Sequence, residues 1–261
     1  LENGYRDFTD SHVEQLNKIS VLRKLGISTE EIKILLEDES RSTLQVLTTK
    51  KELDIQREQV KKSILDKLAS GKGYSEISSE LQMIENSKSI TEKLLDAFPG
   101  YYGRFVCLHF ARFLNESIKT NSQQSAYKKV ISFLDNTPPL KLPKDLQEYL
   151  IDNTKHIGTV QITEMIDNTK KSIENPDEFL SNNKEMLEQY LAYKKSDEYK
   201  NSPAHKIMSL MKEFNRVSGY NDVFIPALKE LSPSYTEYYK QLEIANKKLL
   251  AQYPDIEELS D

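Results

Sequence analysis

The chain has 261 residues, 38% of them hydrophobic and 30% charged, with a mean hydropathy of −0.62. Length alone allows one or two domains, and the scarcity of Gly (8) and Pro (9) fits a helix-rich chain with long solvated faces. No apolar run approaches a membrane span, one cysteine excludes an intramolecular disulfide framework, and a net charge of −5 gives no global pull on nucleic acid. A reducing cytoplasm is the expected setting, and no membrane partner is expected.

In chain order, Asn3-Gly4 is a tight-turn dipeptide, because both residues tolerate positive φ. The alternation Tyr5-Arg6-Asp7-Phe8-Thr9 predicts a short strand, the second half of a β-hairpin. Asp10 or Ser11 then offers an N-cap, with Glu14 placed for a capping box. Val13, Leu16, Ile19 and Leu22 form the apolar face of the helix that follows, and Gly26 stops it. Ser28-Thr29-Glu30-Glu31 opens a second, short helix with acid in its first turn and with Ile32, Leu35 and Leu36 facing inward.

From Thr43 to Ala69 there is neither Gly nor Pro. Leu44, Leu47, Leu53, Val60, Ile64 and Leu68 recur at helical spacing, which predicts one long amphipathic helix. A helix of that length needs a partner. A coiled coil with a second copy is one solution, and packing on its own chain is the other. Gly71-Lys72-Gly73 breaks it, and Tyr74–Glu85 reads as a shorter helix.

Beyond residue 86 aromatics become frequent. Helices are expected near 88–98, 100–116, 122–135, 143–152, 155–173, 176–194, 203–219, 221–230 and 232–252. Pro176, Pro203 and Pro233 stand at first-turn positions of three of them.

The residues Asn3-Gly4-Tyr5-Arg6-Asp7-Phe8, then Val13, Leu16, Ile19, Leu22-Arg23, Leu25-Gly26-Ile27-Ser28, Glu31-Ile32 and Leu35-Leu36, resemble the MerR family of transcriptional regulators. The match covers about the first 40 residues and corresponds to the second half of the family's DNA-binding domain. The leading helix–turn–helix would precede Leu1, so the chain reads as a fragment. The resemblance implies a wing whose Tyr5 and Arg6 touch DNA phosphates, a helix pair over 10–38, and an antiparallel dimerisation coiled coil over 43–69. Dimers of the family bind palindromic promoter DNA, and effector binding twists that DNA to activate transcription. One departure is Phe8, where the family often has Tyr, so a phosphate-contacting hydroxyl is lost.

Arginine and tyrosine at a wing make salt-sensitive phosphate contacts. Residues 1–85 nevertheless hold 13 Lys/Arg against 16 Asp/Glu. The fragment is therefore expected to bind DNA poorly without its reader element. The fold class expected is all-α: a partial winged-helix remnant (1–40), a long dimerisation coiled-coil helix with linker (41–85) and a multi-helix C-terminal domain (86–261).

The C-terminal part sets the effector in this family. Metal and redox sensing there uses clustered cysteines, and Cys107 stands alone. His12, His109, His156 and His205 have no metal spacing, so no metal or other cofactor is expected. An organic effector is one expectation. The other is an oligomerisation or protein-interaction module without a small ligand. Around Phe98–Leu114, the residues Tyr102, Phe105, His109 and Phe113 share one broad side of a helix, with Arg104 or Arg112 at its margin. That side reads either as the central core of an all-α domain or as an aromatic wall for a flat or amphipathic ligand.

Tyr220, Phe224, Tyr235, Tyr238 and Tyr239 form a second aromatic group, read as packing. Tyr190, Tyr193 and Tyr199, interleaved with Lys194-Lys195 and Lys200, raise nucleic-acid stacking, but Glu188, Asp197 and Glu198 favour a solvated helix end. No phosphate loop, nucleophile elbow or metalloprotease motif is present, so no enzyme is expected. A helical acid–base site from His156 with Glu164 or Asp167 is the weakest of the alternatives.

Overall fold

A computed structural model describes residues 8–38, 42–98 and 100–256. Among the described residues there are fourteen α-helices and no strand. The expected winged-helix strand is not seen at Phe8-Thr9, and Tyr5 and Arg6 lie outside the described residues.

Thr9 is instead the N-cap of α1 (Asp10–Lys24), ahead of the positions predicted. Its Oγ1 accepts from the His12 amide at 3.4 Å, and its own amide donates to His12 Nδ1 at 3.2 Å. The histidine does the work expected of Glu14, because a ring nitrogen reaches back to the cap as a carboxylate would. Gly26 (φ 75°) ends α1 as predicted: the Ile27 amide donates to the Leu22 carbonyl at 3.2 Å. In α2 (Thr29–Glu37), Ser28 and Glu31 form a complete capping box. The expected apolar face of α1 is not buried. Val13 is 47% and Leu16 50% exposed, because α1 packs chiefly on α2.

The long helix α3 (Ser42–Ala69) is one element, as the pattern predicts. Its apolar side is used within the chain. Leu47, Leu53 and Ile64 are buried there. Gly71 (φ 95°) turns the chain back, and α4 (Tyr74–Ala97) packs against α3. Ile64 meets Ile77 and Ile84, and Lys67 bonds Glu80 at 2.6 Å beside them. The two helices predicted at 74–85 and 88–98 are this single α4. Ile77 and Ile84 face α3, whereas Ile90, Leu94 and Leu95 enter the main core. The composition shift near residue 86 thus marks a change of packing partner on one helix.

The core is built around α5 (Gly100–Ala111). It is covered by α4, α6 (Asn121–Asn136), α8 (Thr159–Glu174), a π-turn at Tyr220–Phe224 and α13 (Ile225–Leu231). Leu94, Cys107, Val130, Ile162, Phe224 and Leu228 are fully buried. The α4–α5 elbow is so tight that a Cβ on Gly103 would stand 2.1 Å from the Phe98 carbonyl oxygen. Any side chain there forces the two helices apart.

α7 (Lys144–Thr154) and α12 (Pro203–Ser218) join through Leu142, Leu146 and Ile207. The helix predicted over 155–173 starts later, because Lys155–Gly158 forms a turn tied to α3 by Gln45 Nε2 donating to the Lys155 carbonyl at 2.8 Å. The helix predicted over 176–194 is broken into α9 (Pro176–Asn182) and α10 (Lys184–Lys195). Asn183 folds back there, its Nδ2 donating to the Phe179 carbonyl at 2.8 Å. A one-turn α11 (Asp197–Lys200) precedes α12, and α14 (Pro233–Gln252) runs back along α8, α9 and α13.

Candidate functional site

The four aromatic-face residues on and just after α5 do not stay together. Phe105, His109 and Phe113 do: the Phe105 and His109 rings stack with centroids 6.4 Å apart, and His109 meets Phe113 edge-on at 5.5 Å. Phe113 lies past the end of α5, which stops at Ala111 rather than near 116. Tyr102 turns to the other side and packs with Leu142, Leu146 and Ile207. Tyr101 spans the gap, touching the Tyr102 ring at 5.8 Å and the Phe105 ring at 6.3 Å.

Tyrosines of α14 cover this side. Tyr238 sits 5.4 Å from His109 and 5.1 Å from Phe113, and Tyr235 sits 5.2 Å from Phe113 and 5.6 Å from Phe110. Tyr235 is 3% exposed, and desolvation pushes its hydroxyl well above the usual phenol range. Of the two readings of the aromatic helix, this arrangement supplies the core one. A cleft beside Phe113 holds only about 10 Å³, room for a water and no more.

His109 takes its electrostatics from that packing. Desolvation, with a smaller contribution from the Arg112 charge, pushes its imidazole down to about 4. The ring is therefore neutral at physiological pH. Arg112 is engaged with Asp167 of α8 in an ion pair, which removes Asp167 from any acid–base site with the exposed His156. Cys107 is fully buried, its Sγ donating to the Thr91 carbonyl at 3.4 Å, and burial pushes the thiol up to about 12. Such a thiol is inert.

Arg104 was expected at a pocket margin and is 1% exposed. Its Nη1 donates to the Ile157 carbonyl at 2.9 Å, and its guanidinium lies 5.9 Å from the Tyr101 ring. Its Nε has no hydrogen-bond partner among the described residues. Desolvation lowers its pKa from the ordinary arginine value.

The lysine–tyrosine stretch of α10 and α11 is solvated at Tyr190, Tyr193, Lys195 and Lys200, as expected, but not throughout. Tyr199 is buried and Lys194 half-buried, and with Tyr190 they line a cavity of about 310 Å³ between α10, α12 and α14. Sequence reasoning missed it because Leu249 and Ile256 close it from a segment remote in sequence from the rest of the wall. The interleaved lysines and tyrosines were the signal available.

Among the described residues no group of His, Cys, Asp or Glu is arranged to hold a metal ion, and no helix is long and apolar enough to cross a membrane. No curated protein and no solved structure matches the chain. A family model does match residues 1–39, described as the MerR HTH family regulatory protein. It covers the caps, the Gly26 stop and the α1–α2 pair described above. Over residues 1–39, then, the chain is similar to the MerR HTH family of regulatory proteins.

Proposed function

We propose that the protein is a dimeric transcriptional regulator whose N-terminal segment contacts promoter DNA and whose helical body binds an organic, non-metal effector. The observation that carries this reading is the family match over 1–39, laid on a helix pair with both caps formed. In this reading Tyr5 and Arg6 contact phosphate, and the uncovered Val13 and Leu16 of α1 pack against the family's leading helix–turn–helix.

The dimer in this reading does not use the apolar side of α3 that faces α4. It uses the outward side. Leu44, Ile55 and Leu65 are 39%, 54% and 64% exposed. At 3.6 residues per turn they fall within roughly 80° of the helix circumference. The effector, in turn, does not enter the side of α5 closed by Tyr235 and Tyr238.

The test is a chimaera in which the leading helix–turn–helix of a MerR-family regulator is fused ahead of Leu1. Fluorescence anisotropy on that regulator's operator is expected to show specific binding as two copies, weakened at least tenfold by Arg6→Ala. A folded chimaera without operator binding contradicts the reading. The unfused chain is expected to bind duplex weakly, with an affinity that falls steeply with salt. Tight sequence-specific binding by the chain alone contradicts the need for that added element.

A further inference from the structure

The cavity between α10, α12 and α14 has both cationic and apolar side chains in its wall. Lys194, His205 and Lys212 line it, and no Asp or Glu does. Lys194 is held in place. Its Nζ donates to the Tyr199 hydroxyl and lies 4.0 Å from the centroid of the Tyr199 ring and 5.8 Å from that of Tyr190. Tyr199 is itself fixed. Its amide donates to Ser196 Oγ at 3.2 Å, and its ring meets His205 edge-on at 5.2 Å. An ammonium has three donors, so one hydrogen bond to a phenol leaves capacity for an anion. Ring faces steady a cation, but they do not neutralise it as a carboxylate would.

Leu249 lines this cavity and also a second one, of about 250 Å³, between α8, α9 and α14. The second is lined by Ile173, Phe179, Leu180 and Leu242 and has no charged residue in its wall. A cavity with cationic side chains in its wall and a cavity with no charged one thus share Leu249. Together they have the size of a small-molecule site, with the lysines in one wall and only the uncharged polar side chains Thr169, Ser172 and Asn246 in the other.

We propose that the two cavities form one head-and-tail site for an acyl carboxylate of medium chain length. The carboxylate meets Lys194 and the chain passes Leu249 toward Phe179. This rests on the reading of the helical body as effector-binding and names the chemistry of that effector.

Calorimetric titration of the full chain with hexanoate, octanoate and decanoate tests it. Decanoate is expected to bind saturably at one per chain, with affinity rising roughly tenfold for each two methylenes added. Lys194→Met is expected to weaken decanoate at least tenfold at an unchanged circular dichroism spectrum and unfolding midpoint, while Lys194→Arg retains it. Leu249→Trp is expected to erase the gain from octanoate to decanoate and to spare hexanoate.

Equal binding of decanoate and decyltrimethylammonium overturns the proposal, as does unsaturable uptake or an unaffected, folded Lys194→Met variant. The titration needs no DNA, so the two readings fail separately. Decanoate bound without any change in the chimaera's operator affinity leaves the site standing and removes its regulatory role. Operator binding without decanoate binding overturns the site and leaves the DNA-binding reading standing.

Discussion

The helix pair α1–α2 and the body around α5 are stabilised in different ways. Among the described residues α1 buries nothing, and α2 buries only Ile32. The pair is defined by local chemistry: two capping boxes and one glycine stop. The body is defined by burial, with Leu94, Phe224 and Leu228 at 0% exposure and aromatic rings meeting edge-on around Phe110 and Phe113. Local signals can be recognised from short motifs, and the family match falls on that part. Burial depends on residues far apart in sequence.

That contrast can be broken most sharply by truncation. Leu94→Ala in the body is expected to cost about 2–5 kcal/mol in urea unfolding, because it opens a cavity in close-packed surroundings. Leu16→Ala on the exposed face of α1 is expected to stay within about 0.5 kcal/mol. Equal costs would mean that α1 is packed as the body is.

His109 gives the body a pH dependence set by burial. The unfolded chain takes up a proton near 6.5, whereas the folded ring resists until about 4. The unfolded state binds more protons in that window, so stability is intact above about 6.5 and falls as pH drops toward 4, by up to about 3 kcal/mol. Unfolding midpoints between pH 7 and 4 check this, and His109→Phe is expected to remove that slope.

Gly103→Ala is expected to cost about 1–3 kcal/mol, since its methyl overlaps the Phe98 carbonyl at the α4–α5 elbow. A neutral result in thermal unfolding would mean that the elbow relaxes freely. At the small end, Ser28→Ala removes the α2 cap and is expected to cost about 1 kcal/mol of local stability. Amide exchange is expected to quicken in α2 and to leave α5 unchanged.

The helices, their proline starts and the Gly26 and Gly71 stops were legible because each is set by residues within one turn of the boundary. Three features were not. The Asn183 break between α9 and α10 rests on one side chain folding back onto Phe179, where the periodicity continues unbroken. The apolar side of α3 has the same pattern whether it faces a second copy or α4, and only the Gly71 turn decides how the chain returns. The aromatic side of α5 reads the same as wall or as core until α14, more than 120 residues later, brings Tyr235 and Tyr238 onto it. The Lys194 cavity was hidden for the same reason: its charged and apolar walls meet only in the folded chain.

The regulator reading depends most on pairing of two copies through the outward side of α3. Sedimentation velocity of the full chain at micromolar concentration tests it directly. A dimer is predicted, reduced to a folded monomer by Ile55→Asp with Leu65→Asp. A monomer in the unsubstituted chain, or a dimer indifferent to both aspartates, contradicts it.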